Sequence, residues 1–78
     1  MADPIESQVI DIIAKRRKIN PSTVTLDTTF EQLGIDSLEA ADLVFNFEDT
    51  FGIVVPDEAA QSMKTVGQVV EGVRRLTA

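Results

Sequence analysis

The sequence predicts an all-α fold, a small four-helix bundle with three longer helices and one short one. Three observations predict it. Apolar residues recur three and four positions apart in three separate segments. Each of those segments opens on a capping-box pattern, a capping residue followed three positions later by Glu or Gln. No stretch alternates apolar and polar residues as a half-buried strand would. The chain has 78 residues, 44% of them hydrophobic, which suffices for one small core and a single domain spanning 1–78.

The first helix is expected to open at Asp3-Pro4-Ile5-Glu6. Asp3 caps, Pro4 takes the first helical position and Glu6 completes the capping box. Ile5, Val9, Ile12 and Ile13 then share one face. The segment closes on Lys15-Arg16-Arg17-Lys18, cations that complement a helix C-terminus, with Asn20-Pro21 as the stop signal. Residues 20–35 read as a long loop held down by Val24, Leu26, Phe30, Leu33 and Ile35, and a loop of that length in a compact domain is usually functional.

The second helix opens at Asp36-Ser37-Leu38-Glu39, with Asp36 as cap and Glu39 closing the box. Ala40, Leu43, Val44, Phe47 and Phe51 form its apolar face, and Gly52 suits a left-handed cap. Ile53-Val54-Val55 reads as an extended connector because β-branched residues precede Pro56. Asp57 is expected to cap a short helix to about Ser62, whose apolar content is only Ala59, Ala60 and Met63. Thr65-Val66-Gly67-Gln68 starts the last helix, with Val66, Val69, Val70, Val73 and Leu76 as its buried stripe.

Composition narrows the function. With no Cys there is neither a disulfide nor a thiolate metal site, and with no His the commonest metal ligand and general base are missing. The only aromatic residues are four Phe, and the formal charge is −6, which together argue against a nucleic-acid partner. The acidic groups lack the loop spacing of a Ca²⁺ site, so no metal is expected. No apolar stretch approaches the ~20 residues that span a bilayer, and the first residues lack an apolar signal core, so a cytoplasmic protein without a membrane role is expected.

Between Ile19 and Met63 lie nine acidic residues and no basic one, while all seven basic residues fall outside that window. Such segregation reads either as a solvated surface or as a docking face for basic partners, and the clustering favours docking. At its centre, Gly34-Ile35-Asp36-Ser37-Leu38 puts a hydroxyl in the first turn of a helix, which alone is an ordinary structural feature. A nucleophilic role needs a neighbouring base that the chain lacks. An acceptor of a covalent phosphate ester needs none, because a partner enzyme supplies the activation and the helix N-terminus favours the phosphate.

Leu33-Gly34-Ile35-Asp36-Ser37-Leu38-Glu39, then Asp42-Leu43-Val44, Glu48-Asp49-Thr50-Phe51-Gly52-Ile53, Val55-Pro56-Asp57-Glu58 and Thr65-Val66-Gly67, resembles an acyl carrier protein over essentially the whole chain. The resemblance implies a carrier domain of four helices with no catalytic residue of its own. Ser37 would bear 4′-phosphopantetheine, donated from coenzyme A by a phosphopantetheinyl transferase that also sees Asp36 and Leu38. Acyl groups would ride on the arm as thioesters, in fatty acid or related lipid and polyketide biosynthesis. The resemblance further implies that Glu39, Asp42, Glu48 and Asp49 dock acyl-transferring and ketosynthase-type enzymes bearing basic patches; Asp42 and Glu48, six residues apart and flanking Phe45, are expected to be the central pair, and the chain is expected to act as a monomer. Phe30, Leu33, Phe47, Phe51 and Val69 are assigned to the core.

Glu39, Phe45, Asn46 and Phe47 depart from the residues usual in fatty-acid carriers, and Ile35 from peptidyl carriers, which points to a specialised carrier. Two other readings stand beside it: an acidic helical interaction module without a prosthetic group, and a regulatory domain phosphorylated at Ser37. The weakly anchored third helix also predicts that cargo slips between it and the second helix, lined by Phe45, Val55, Ala59 and Met63.

Overall fold

The computed structural model describes residues 4–77, and Asp3, the expected first cap, lies outside them. Four helices follow in order: α1 (Pro4–Arg17), α2 (Ser37–Phe51), α3 (Asp57–Ser62) and α4 (Val66–Thr77), with a 3₁₀ turn at Pro21–Thr23. No strand occurs among the described residues, only an isolated antiparallel bridge between Thr29 and Thr65.

α1 stops one step earlier than Asn20-Pro21 requires. Lys18 turns left-handed at φ 56°, Ile19 N–H donates to Ala14 O at 3.0 Å, and Lys18 N–H donates to Lys15 O at 3.3 Å. This is a Schellman ending built without glycine. Asn20 instead caps the 3₁₀ turn, its Oδ1 accepting from Ser22 N–H at 3.0 Å.

The core joins Val9 and Ile13 of α1, Leu43 and Phe47 of α2, and Val66, Val69, Val70 and Val73 of α4. α1 packs most extensively on α4 and next on α2. Val24, Phe30 and Ile35 fill the core from the long loop, while Leu33 and Phe51 are half-buried at its edge. Two apolar residues depart from expectation: Leu26 is 40% exposed and Leu76 38% exposed. Leu26 holds the loop through its backbone instead, its carbonyl accepting from Gly67 N–H at 2.9 Å. Leu76 sits in the last turn of α4 and lines a hollow with Ala59 and Ser62 of α3.

The loop is stitched down rather than floating. Phe30 N–H donates to Lys64 O and Val66 N–H donates to Thr28 O, both at 3.0 Å. Thr65 and Gln68 form the expected capping box: Thr65 Oγ1 accepts from Gln68 N–H, and Gln68 Oε1 accepts from Thr65 N–H. α3 differs in detail. Pro56 occupies its N-cap position and Asp57 is the first helical residue, so no side chain caps it. α3 contributes no buried residue and makes the sparsest contacts of the four helices.

The connector before α3 is held by Glu48, whose Oε2 accepts from Val55 N–H at 2.7 Å. Val55 is buried and the hydrogen bond is partly buried, so losing the acceptor leaves that donor poorly compensated. Glu48→Ala is therefore expected to cost about 1–3 kcal/mol in urea unfolding. Glu48→Gln, which keeps an oxygen acceptor, should lose less. A cost within about 0.5 kcal/mol for Glu48→Ala, the range of a surface change, would show that the connector is held by something else.

Candidate functional site

Ser37 is the first residue of α2, and three local devices place it there. The turn over residues 30–33 ends at Gly34, where φ is 71° and Ile35 N–H donates back to Phe30 O at 3.0 Å. A side chain at Gly34 would be strained by that φ, so glycine is what redirects the chain into α2. Ile35 is buried and anchors the segment. Asp36 then caps α2, its Oδ1 accepting from Glu39 N–H at 2.8 Å. The other end of α2 stops at Gly52, left-handed at φ 64° as expected.

The consequence is an exposed hydroxyl at a helix start. No described residue hydrogen-bonds the Ser37 side chain. The first N–H groups of the helix lack intrahelical acceptors, and the N-terminal partial charge favours an anion there. Ser37 also lies on the rim of a groove of about 490 Å³ between α2 and α3, whose walls include Ala40, Val44, Phe45, Val55 and Met63. The residues around Ser37 thus fit a phosphate ester at the helix start, beside a groove with apolar walls. Ala60 of α3 lines this groove, and Ala59, expected there, lines a second hollow against α4. A six-residue helix presents adjacent alanines to different sides because each step turns by about 100°.

The four acidic residues expected on the docking helix have unequal surroundings. Glu39 is half-buried and both its oxygens accept from Arg17 Nη1, at 3.0 and 2.8 Å. It therefore turns to α1 rather than back to the Asp36 N–H, and the expected capping box is only half made. Asp42 is exposed and pairs with Arg16 at 2.8 Å. Glu48 is half-buried, and its Oε2 accepts from Val55 N–H at 2.7 Å, so of the expected central pair it is the less exposed member. Asp49 is exposed. The basic run at the end of α1 thus does more than complement a helix terminus: two of its members bind carboxylates of α2 across 22 and 26 residues of chain.

Exposure also reveals two apolar residues on the same helix. Leu38 is 81% and Phe45 67% exposed. Leu38, Asp42, Phe45 and Asp49 fall at i, i+4, i+7 and i+11, one outward stripe of alternating apolar and acidic groups. The spacing was present in the sequence, but it became meaningful only once the opposite face, with Leu43 and Phe47, was seen in the core.

Residues 7–73 match the model of a family described as a phosphopantetheine attachment site. The chain is 43% identical over 68 residues to the acyl carrier protein of Amoebophilus asiaticus, covering 86% of this chain and 85% of that protein. It is 37% identical over 71 residues to the mitochondrial acyl carrier protein of Dictyostelium discoideum, covering 91% of this chain and 59% of that longer protein. Its fold superposes on the crystal structure of an acyl carrier protein from Thermotoga maritima with a TM-score of 0.80 and 25% identity, covering 97% of this chain and 94% of that one.

Proposed function

This chain belongs to the acyl carrier protein family, and from that premise we propose that Ser37 is the residue bearing its 4′-phosphopantetheine. As a carrier it is a protein that partner enzymes modify and use, not a catalyst. When bound, the prosthetic group supplies a flexible arm with a terminal thiol, which this Cys-free chain lacks, so that acyl groups are held as thioesters. The carrying observation is the exposed hydroxyl of Ser37 at the start of α2, on the rim of the apolar groove. Asp36 holds the helix start and Leu38 stands beside the hydroxyl in full view of a transferase. Intact mass after incubation with coenzyme A, Mg²⁺ and a permissive phosphopantetheinyl transferase tests this, with a gain of one phosphopantetheine expected. An unchanged mass with several transferases would overturn it.

The partners proposed are that transferase and the acyl-transferring and ketosynthase-type enzymes of fatty acid or related lipid and polyketide synthesis. They dock on α2. Leu38 and Phe45 offer apolar anchors, Asp49 and the exposed Asp42, which shares its charge with Arg16, offer charge to a basic patch, and Glu39 and Glu48 contribute from half-buried positions engaged within the fold. Asp42→Lys/Asp49→Lys is expected to slow modification or acyl transfer while circular dichroism stays unchanged, since exposed charge changes usually cost within about 0.5 kcal/mol each. The wild-type rate should also fall as salt rises, because exposed charges are screened over about 8 Å at physiological ionic strength. A folded double variant as fast as wild type, with no salt dependence, would show that the acids merely face solvent.

The groove between α2 and α3 shelters the cargo. An apolar chain attached through Ser37 gains by leaving water, and α3, with no buried residue of its own, yields at low cost. Amide exchange over residues 55–63 should therefore slow from the holo to a long-chain acyl form. Equal exchange in both forms would exclude sheltering there.

A further inference from the structure

We propose that Arg16 guards the docking face: it occupies Asp42 in the free carrier, so that a partner engages Asp42 only by displacing it, and the partner group fitted to do so is an arginine. This rests on the reading of α2 as the docking face. Arg16 Nη2 donates to Asp42 Oδ2 at 2.8 Å, and Arg16 Nε lies 3.8 Å from Glu39 Oε1. The guanidinium thus stands over the N-terminal half of α2 where a partner's basic group would, but it comes from α1 of the same chain. At the other end of the outward stripe, Asp49 is exposed and forms no ion pair with any described residue.

Arg16 and Arg17 are adjacent yet held differently, which makes one a guard and the other a strut. Arg17 is half-buried, and both Glu39 oxygens accept from its Nη1. Its Nη2 lies 3.4 Å from where a Cβ on Gly34 would stand. Arg17 is therefore wedged between the turn before Ser37 and the helix after it, and ties α1 to the start of α2. Arg16 makes one close contact, and the side chains of the pair are 37% and 59% exposed. Such a pair is weak, because water screens its attraction and two flexible side chains lose freedom in forming it. Weakness suits a guard. An incoming guanidinium that meets both oxygens of Asp42 makes the stronger, bidentate contact, whereas an ammonium acts as a point charge and lacks the matching fork.

The test titrates the full chain with hexa-arginine at physiological ionic strength and follows the amides of α2 together with the Arg16 Nε–H signal. As peptide binds, Asp42 and the Arg16 Nε–H should shift together, and hexa-lysine should need a higher concentration to move the same signals. Arg16→Gln should tighten hexa-arginine binding about two- to fivefold, the contribution of one exposed ion pair. Arg16→Lys, which keeps a cation facing Asp42, should stay closer to the wild type. Lys15→Gln is the charge control. Lys15 is exposed and pairs with no carboxylate among the described residues, so this variant removes the same charge from the same turn and should leave the affinity near its wild-type value. Equal tightening by Arg16→Gln and Lys15→Gln, or an Arg16 Nε–H signal that stays still while Asp42 shifts, would overturn the guard and leave the docking face intact. Equal action of the two peptides would overturn arginine as the partner's group. No response along α2 to either peptide would overturn the guard and the docking face together.

Discussion

Ser37→Ala is expected to keep its apo mass under conditions in which the wild-type chain gains one phosphopantetheine. Ala lacks the oxygen that forms the phosphate ester, so the loss should be complete rather than partial. Ser7, Ser22 and Ser62 should not substitute for it. Each is exposed, yet none begins a helix after a capping Asp at the mouth of the α2–α3 groove. Intact mass spectrometry of both proteins reads the outcome, and circular dichroism confirms that folding is retained. The fold should survive because the cap of α2 is the carboxylate of Asp36, not the hydroxyl of Ser37. An exposed substitution of this kind stays within about 0.5 kcal/mol. A gain of mass in Ser37→Ala would move the attachment to another residue and with it the proposed role of the groove.

The second large effect is on stability. Phe47 is 1% exposed and is the largest of the fully buried side chains. Phe47→Ala should cost about 3–5 kcal/mol, the lost transfer free energy plus the cavity left behind. A domain of this size holds about 4–12 kcal/mol in total, so the variant should unfold at much lower urea concentration or fail to fold at room temperature. Phe45 makes the comparison internal. Two residues away on the same helix, it is 67% exposed, and Phe45→Ala should change the urea midpoint little while weakening partner turnover. Equal destabilisation by the two substitutions would contradict the facing of α2, and with it the outward stripe.

The residues that were legible in the sequence are those whose partners lie within one or two turns. The Asp36 cap, the Gly52 terminus and the Thr65–Gln68 box each close over at most four residues, and all three stand where their spacing put them. Apolar periodicity located Leu43 and Phe47 on α2 and Val66 through Val73 on α4 for the same reason. The Asp-Ser-Leu segment was readable because a helix start is a local event, and Ser37 needs no neighbour from elsewhere in the chain to stand exposed.

By itself, then, the sequence determined an all-α chain with helices of these lengths, its core faces and the place of Ser37 in the first turn of α2. Tertiary structure alone decided which groups meet through space. Arg17 and Glu39 lie 22 residues apart, and only the packing of α1 on α2 turns a basic run and an acid of α2 into an ion pair. Glu48 was expected to dock partners alongside Asp42, and only the chain after Gly52, folding back, gives it the Val55 N–H. Leu76 continues the α4 periodicity, yet it stays 38% exposed at the edge of a hollow beside α3. Met63, one apolar residue after a weakly apolar helix, proved to wall two hollows and to rest in the notch at Gly72. Caps and periodicity are set by neighbours along the chain. Burial, ion pairing and the shape of a groove depend on residues brought together from distant parts of it, and no spacing rule records those meetings.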